Sequence, residues 1–392
     1  MADETVIPES VAAAAAPRLR FDRLEWAGAF GDLGTLIPFA VAYVSLLKMD
    51  PFGIVFAFGV ALVASGLFYR TPFPVQPMKA IGAVATTQAA QTIVITPGAV
   101  YAAGLVTGAV WLLLGLTGAT RRLAGLLARP VALGIVLGLG LSFMLDGVEM
   151  MSKGWLLGGA ALAGALVLLT NPVVPAMFLL LVFGAASGLL ADPGLLAELG
   201  GVRPELRWPA WSLGAVTWNE ALIGVVFLAL PQLPLTFGNA VIAVTEENNR
   251  LFPDRKVTER RVSLSTGVLN LFGAAVGGVP MCHGAGGLAG HVRFGARTGG
   301  APVILGALML ALALFFSGSI EVLFKVFPEP VLGVILFLAG AQLALGTCEG
   351  WERKTDRFVL LATAPFAMWN VGVAFVFGAL LHYLIKRGVV KI

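Results

Sequence analysis

Charge is what this chain has least of. Only 12% of its 392 residues are Asp, Glu, Lys or Arg, about half the share in a soluble domain. So few charges could not cover a soluble surface of this size, which excludes a soluble enzyme. The 58% of apolar residues excludes a disordered chain. Cysteine is scarce as well. Cys282 and Cys348 cannot build a disulfide framework. Cys282 and His283 have no second Cys/His pair nearby, so no metal site is expected. The net charge of +4 does not suggest nucleic acid. The start, Met1-Ala2-Asp3-Glu4, is acidic where a signal peptide is basic, and 1–21 reads as a cytoplasmic tail. No paired acids, metal cluster or nucleophile–base set lies at a common depth, so an enzyme is not expected. No nucleotide-binding domain or cofactor motif is expected either. Gly284-x-Gly286-x-x-Ala289 matches a dinucleotide fingerprint literally, but no strand precedes it.

Long apolar runs are present instead. A helical span needs about 20 apolar residues. Twelve candidates fall near 26–47, 52–70, 97–118, 130–150, 154–170, 172–191, 215–243, 262–279, 301–318, 328–347, 357–371 and 372–388. Two shorter segments, 77–93 and 281–297, are apolar, small-residue-rich and led by prolines. Read as half-buried helices, they bring the count to fourteen. With the N-terminus in the cytoplasm, 20 of the 26 basic residues then fall inside and five outside. That asymmetry is the positive-inside rule. Without the short pair, the 250–261 basic cluster would move outside. Lys79 is the basic residue left within the membrane.

The two short segments read as a repeat. Pro77-Met78-Lys79 and Pro280-Met281-Cys282 lie 203 residues apart, about half the chain. Each follows, 45–50 residues on, a span with a polar and proline break: Asp32 to Pro38, and Pro231-Gln232-Leu233-Pro234 to Asn239. Interrupted segments at corresponding positions in two halves point to a transporter's binding site. An offset of seven spans inverts the second half. The expected fold is therefore an all-α polytopic membrane protein, with about fourteen spans as a 7+7 inverted repeat, 22–200 and 201–392. Helices 1–4 and 8–11 would form a core, and helices 5–7 and 12–14 a gate. Two half-helices would aim their N-termini at one midplane site, where unpaired N–H groups favour an anion.

The residues carrying this pattern also carry a resemblance. Phe30-Gly31-Asp32-Leu33-Gly34-Thr35, Gln76-Pro77-Met78-Lys79, Cys282-His283-Gly284-Ala285-Gly286-Gly287-Leu288-Ala289-Gly290 and Arg293-Phe294-Gly295-Ala296-Arg297 look like the molybdate transporter family. That family is related to the sulfate permeases. The similarity runs from about residue 22 to the end. It implies uptake of a tetrahedral oxyanion and the fold shared by uracil and sulfate permeases. Sulfate permeases usually carry a cytoplasmic STAS domain after the last helix. Only about five residues follow the final span here, which agrees with the molybdate group.

Candidate site residues follow from position. Lys79, in the first turn of the first half-helix, would stabilise the anion or pair with Asp32. Asp32, an intramembrane carboxylate, would couple a proton or serve as a fixed counter-ion. Gln76 and Gln232 can donate to oxyanion oxygens, and Thr35, Thr236 and Asn239 are further lining candidates. Gly284, Gly286 and Gly287 would admit an anion to backbone N–H groups or allow close helix packing. Cys282 and His283 sit beside the site, His283 more as a structural group. Arg293 and Arg297 fit a helix C-terminus. His382 and Cys348 carry no signal, and 244–261 reads as a solvated linker.

The expected function is secondary uptake of a tetrahedral oxyanion, molybdate first, by alternating access, with proton coupling open. A sulfate transporter, a nucleobase permease and an anion channel are the alternatives. No acid between 221 and 245 is available to read a nucleobase ring. The expected location is the cell inner membrane, with both termini cytoplasmic. A homodimer through the gate helices is left open.

Overall fold

In the computed structural model, the described residues are 19–79, 81–82, 94–125, 128–169, 171, 174, 176–345, 347, 353–369 and 371–392. Most of the 1–21 tail, most of the first half-helix 77–93, and Cys348 lie outside them.

Helix starts follow local chemistry. The first N–H groups of a helix need acceptors, most of all where no water can supply them. Asp50 accepts from Phe52 N–H ahead of Pro51, starting helix Pro51–Tyr69. Thr96 accepts from Ala99 N–H ahead of Pro97, starting Pro97–Thr117. Thr217 and Glu220 form a reciprocal capping box before Trp218. Proline in the first turn has no N–H to orphan.

Among the described residues, four helices are long and apolar enough to cross a membrane: Pro51–Tyr69, Pro97–Thr117, Arg129–Ser152 and Gly300–Lys325. Ala176–Ala191 and Gly194–Gly200 form a pair bent by 107°. Shorter apolar helices include Trp155–Leu168, Glu329–Ala341 and Val373–Lys386. Large apolar side chains such as Leu156, Val182, Leu190 and Leu361 face outward, while Asp32, Gln76, Gln232, Asn239 and Asn270 are buried. Polar groups inside and apolar groups outside suit a lipid surround.

Three helix pairs form the frame: Pro51–Tyr69 on Gly300–Phe316, Pro97–Thr117 on Glu259–Ala275, and Arg129–Ser152 on Glu329–Leu345. Glycines set their close approach. Gly59 meets Gly306, Gly267 meets the backbone of Leu112, and Gly140 and Gly147 meet Gly340 and Gly333. The opposite running order of the last two contacts makes that pair antiparallel.

Two expectations change. The first span is broken, as its residues suggested, into Arg23–Ala29 and Leu33–Leu47 around Phe30–Asp32. The 215–243 span is not. It runs as continuous helix from Trp218 to Leu251, with π-helical stretches at Gly224–Ala229 and Thr236–Ala243 flanking Leu230–Leu235. Pro231 and Pro234 lack amide hydrogens, and wider turns on either side redistribute the backbone bonds they cannot make. Helix Val244–Leu251 also takes up the first part of the 244–261 linker. Asn248 and Asn249 then hold the rest, donating to Arg255 O at 2.9 Å and Val257 O at 3.0 Å.

Candidate functional site

The two breaks meet as a short antiparallel strand pair, with Gln76 opposite Cys282 and Pro77 opposite Met281. Met78 N–H adds a bond to Pro280 O at 2.8 Å. Backbone groups freed by interrupting two helices thus satisfy each other. Asn270 secures the second strand from helix Glu259–Ala275. Its amide donates to Met281 O at 2.6 Å and accepts from Met281 N–H at 2.9 Å.

The first break gathers polar side chains. Asp32 Oδ1 accepts from Gln76 Nε2 at 2.6 Å and from Thr35 Oγ1 at 2.8 Å. Gln76 Nε2 also reaches Thr35 Oγ1 at 3.2 Å. Gln76 Oε1 is buried and has no partner among the described residues. It points at Gly284, where any Cβ would overlap it.

Lys79 opens the helix after this break. Its ammonium lies 3.1 Å from the ring centroid of Phe143, on helix Arg129–Ser152. Asp146, Asp32 and Cys282 lie within electrostatic reach, yet Lys79 makes no ion pair among the described residues. The pairing of Lys79 with Asp32 weighed from sequence is therefore not formed. A ring face holds a desolvated cation by about 2 kcal/mol or more.

The second break offers bare backbone, onto which neighbouring side chains close. Gly284 precedes helix Ala285–Arg293. A Cβ at Gly286 would overlap the Phe143 ring. The close packing read as an alternative role for the glycines is what the structure shows at Gly286, whose open face Phe143 fills.

Two amides from helix Trp218–Leu251 bind the half-helix starts. Gln232 Oε1 accepts from Ile81 N–H at 3.3 Å while its Nε2 donates to Thr236 Oγ1 at 2.8 Å. Asn239 Oδ1 accepts from Ala285 N–H at 3.1 Å. Both are buried, and both anchor a helix start. His283 turns away from Gln76: its ring nitrogens contact Pro74 O at 2.7 Å and Ser265 Oγ at 2.8 Å. Cys282 is a free, buried thiol in the strand pair. Arg297 donates to Val292 O and Ala296 O, as a cation at a helix C-terminus should.

Three residues escaped the sequence reading. Phe143 is one phenylalanine of 25, and nothing local marks it. Asp146 did carry a signal, an acid inside the apolar run 130–150, which also holds Glu149 near its end. Glu25 is buried and accepts from the backbone N–H groups of Arg297, Thr298 and Ala301. It caps helix Gly300–Phe316 from a helix far away in sequence.

Known proteins resemble this chain in sequence and in fold. The sequence pattern of a family described as "Molybdate transporter of MFS superfamily" matches residues 24–143 and 224–343. "Molybdate transporter 2" of Arabidopsis thaliana is 33% identical, over 92% of this chain and 87% of that protein. "Molybdate transporter 1" of Chlamydomonas reinhardtii is 30% identical, over 90% and 89%. Among solved structures, the transmembrane domain of the cyanobacterial bicarbonate transporter BicA aligns with a TM-score of 0.55 at 14% identity, covering 92% of this chain and 98% of that one. The murine anion transporter Slc26a9 in its inward-facing state aligns at 0.61 with 10% identity, covering 96% and 70%. At these identities the likeness is one of fold alone.

Proposed function

This chain belongs to the molybdate transporter family, and on that premise we propose that it takes up molybdate as a secondary transporter, binding the dianion between the two breaks. It is a multi-pass membrane protein with an anion-transporter fold rather than an enzyme. The observation that carries the reading is Lys79 resting on Phe143 instead of on a carboxylate. A cation held by a ring face and no counter-charge, beside two helix starts, is a site suited to an anion.

Alternating access follows from which element holds which part. Lys79 and Gln76 belong to the core, and Phe143 belongs to a gate helix. A dianion that draws Lys79 off the ring loosens a core–gate contact, so occupancy biases the rocking of one unit against the other. The frame supports a fourteen-span inverted repeat. Numbered by span, helix 2 packs on 11 and helix 4 on 9, which a seven-span exchange interchanges, while 5 packs on 12 and maps to itself. The family match at two segments 200 residues apart supports the same reading.

Proton coupling has a geometric route. Gln76 Nε2 is committed to Asp32, and Oε1, buried and without a partner among the described residues, faces Gly284. A half-turn of the amide would aim Nε2 at an anion and Oε1 at Asp32. Two acceptors then face each other unless Asp32 carries a proton. Anion and proton would thus bind together.

Molybdate and sulfate share charge and shape, and the preference for molybdate rests on the family. The charge asymmetry supports the inner membrane with cytoplasmic termini, and a homodimer would use the gate helices. The test is uptake of labelled molybdate into proteoliposomes, competed by tungstate, sulfate and uracil at two pH values. Saturable uptake blocked by oxyanions supports the reading. Competition by uracil alone would overturn it, and flux that does not saturate with molybdate concentration would make the protein a channel.

A further inference from the structure

Two cavities meet at the end of helices Pro51–Tyr69 and Glu259–Ala275 that the charge asymmetry assigns to the cytoplasm. The first, of about 410 Å³, is lined by Arg70, Arg255, Lys256 and Arg261, with Asp254 as its acid. The second, of about 340 Å³, runs along the helix faces between Phe68, Leu264, Val268 and Leu269. They share Phe68, Tyr69 and Arg261. Phe68 and Val268 are exposed, so the groove opens sideways, toward lipid.

The basic cavity is short of negative charge. Arg70, Lys256 and Arg261 make no ion pair among the described residues. Burial and the neighbouring Arg70 guanidinium hold the Arg255 side chain below its ordinary value. Like charges gathered this way call for an anion. A small free anion would account for the basic cavity alone. It would leave unexplained why that cavity continues into an apolar groove at membrane depth.

We propose that the joined cavities bind one anionic phospholipid, its phosphate among Arg70, Lys256 and Arg261 and an acyl chain along Phe68, Leu264 and Val268. Such a lipid would lie against the transport site's scaffold. Tyr69 Oη contacts Ser265 Oγ at 2.6 Å, Ser265 contacts His283 Nε2 at 2.8 Å, and His283 Nδ1 contacts Pro74 O at 2.7 Å. A hydrogen-bonded chain therefore connects the groove wall to the backbone just before Gln76.

Native mass spectrometry and melting curves of the delipidated full chain test this without any transport readout. Phosphatidylglycerol, phosphatidylcholine with the same chains, and inorganic phosphate are each titrated. Phosphatidylglycerol is expected to bind about tenfold more tightly than phosphatidylcholine and to raise the melting temperature. The double variant Lys256→Glu/Arg261→Glu should lose that preference while melting like wild type in phosphatidylcholine. Val268→Trp, which fills the groove and spares the charges, should weaken phosphatidylglycerol binding. Equal binding of the two lipids, or a preference kept by the charge-reversed variant, would overturn the site. Stabilisation by phosphate as large as by phosphatidylglycerol, or unchanged binding in Val268→Trp, would overturn the lipid as its occupant.

Discussion

The two helix breaks pair with each other strand to strand, yet they are made of different chemistry. The first directs Gln76 inward onto Asp32 and Thr35, and Lys79 onto the ring of Phe143. The second places glycine at 284 and 286, and its polar neighbours serve the scaffold: His283 bonds Pro74 and Ser265, and Asn270 holds Met281. The two halves divide the work. One brings charge and hydrogen-bond donors, and the other brings room for them. A dianion needs both, because a charged group without space cannot reach its ligand and a space without charge has no pull on it.

That division can be broken by substitution. Removing the charge should have the largest effect. Lys79→Met is expected to lower molybdate uptake by about 100-fold, near 2.8 kcal/mol, with normal amounts of folded protein in the membrane. His283→Gln should change the half-saturating concentration by less than about threefold, as befits a scaffold contact. Similar losses from both would dissolve the distinction between the breaks.

Crowding the second break should come next. A methyl group at 286 would overlap the Phe143 ring, so Gly286→Ala is expected to slow uptake by roughly tenfold, the scale of a displaced site group. Phe143→Leu in the same chain should restore part of it. Wild-type rates in Gly286→Ala alone would show that this glycine is not needed for room.

Asp32→Asn probes coupling rather than binding. If a proton travels with the anion, wild-type uptake rises as the outer side is acidified and the variant's uptake stays flat across the same pH range. An unchanged pH profile in the variant removes Asp32 from the proton path.

The smallest effect on transport is expected at Asn270. Asn270→Ala leaves Met281 N–H and O without their partner, at about 1–3 kcal/mol per buried group. Melting should fall by several degrees while the affinity of the folded fraction stays near wild type. A large affinity change with unaltered melting would move Asn270 from the scaffold into the site.

Much of the frame was legible because it rests on local rules. Pro-Met doublets located both breaks, and the apolar runs beginning at 52 and 97 start within a residue of helices Pro51–Tyr69 and Pro97–Thr117. Pro231 and Pro234 misled for the same local reason. They read as a break, but the surrounding π turns keep helix Trp218–Leu251 continuous, and no local signal distinguishes the two outcomes. Glu25 and Phe143 were illegible because their partners, Ala301 and Lys79, lie far off in sequence.

Composition and periodicity settle what depends on a residue and its near neighbours. Scarce charge and long apolar runs make this a membrane protein, and proline with small polar residues sets the helix ends. They also single out Asp32, Gln76 and Lys79 as polar groups too costly to place in lipid without a role. Which groups those residues face is a matter of packing. Lys79 lies on Phe143 rather than Asp32, Gln76 spends its donor on Asp32, and Gln232 and Asn239 hold helix starts instead of an open cavity. A helix's periodicity says which of its faces must be buried, but not against what. Here the answers came from glycines that let distant backbones approach, so the contacts making the site exist only once the helices have packed.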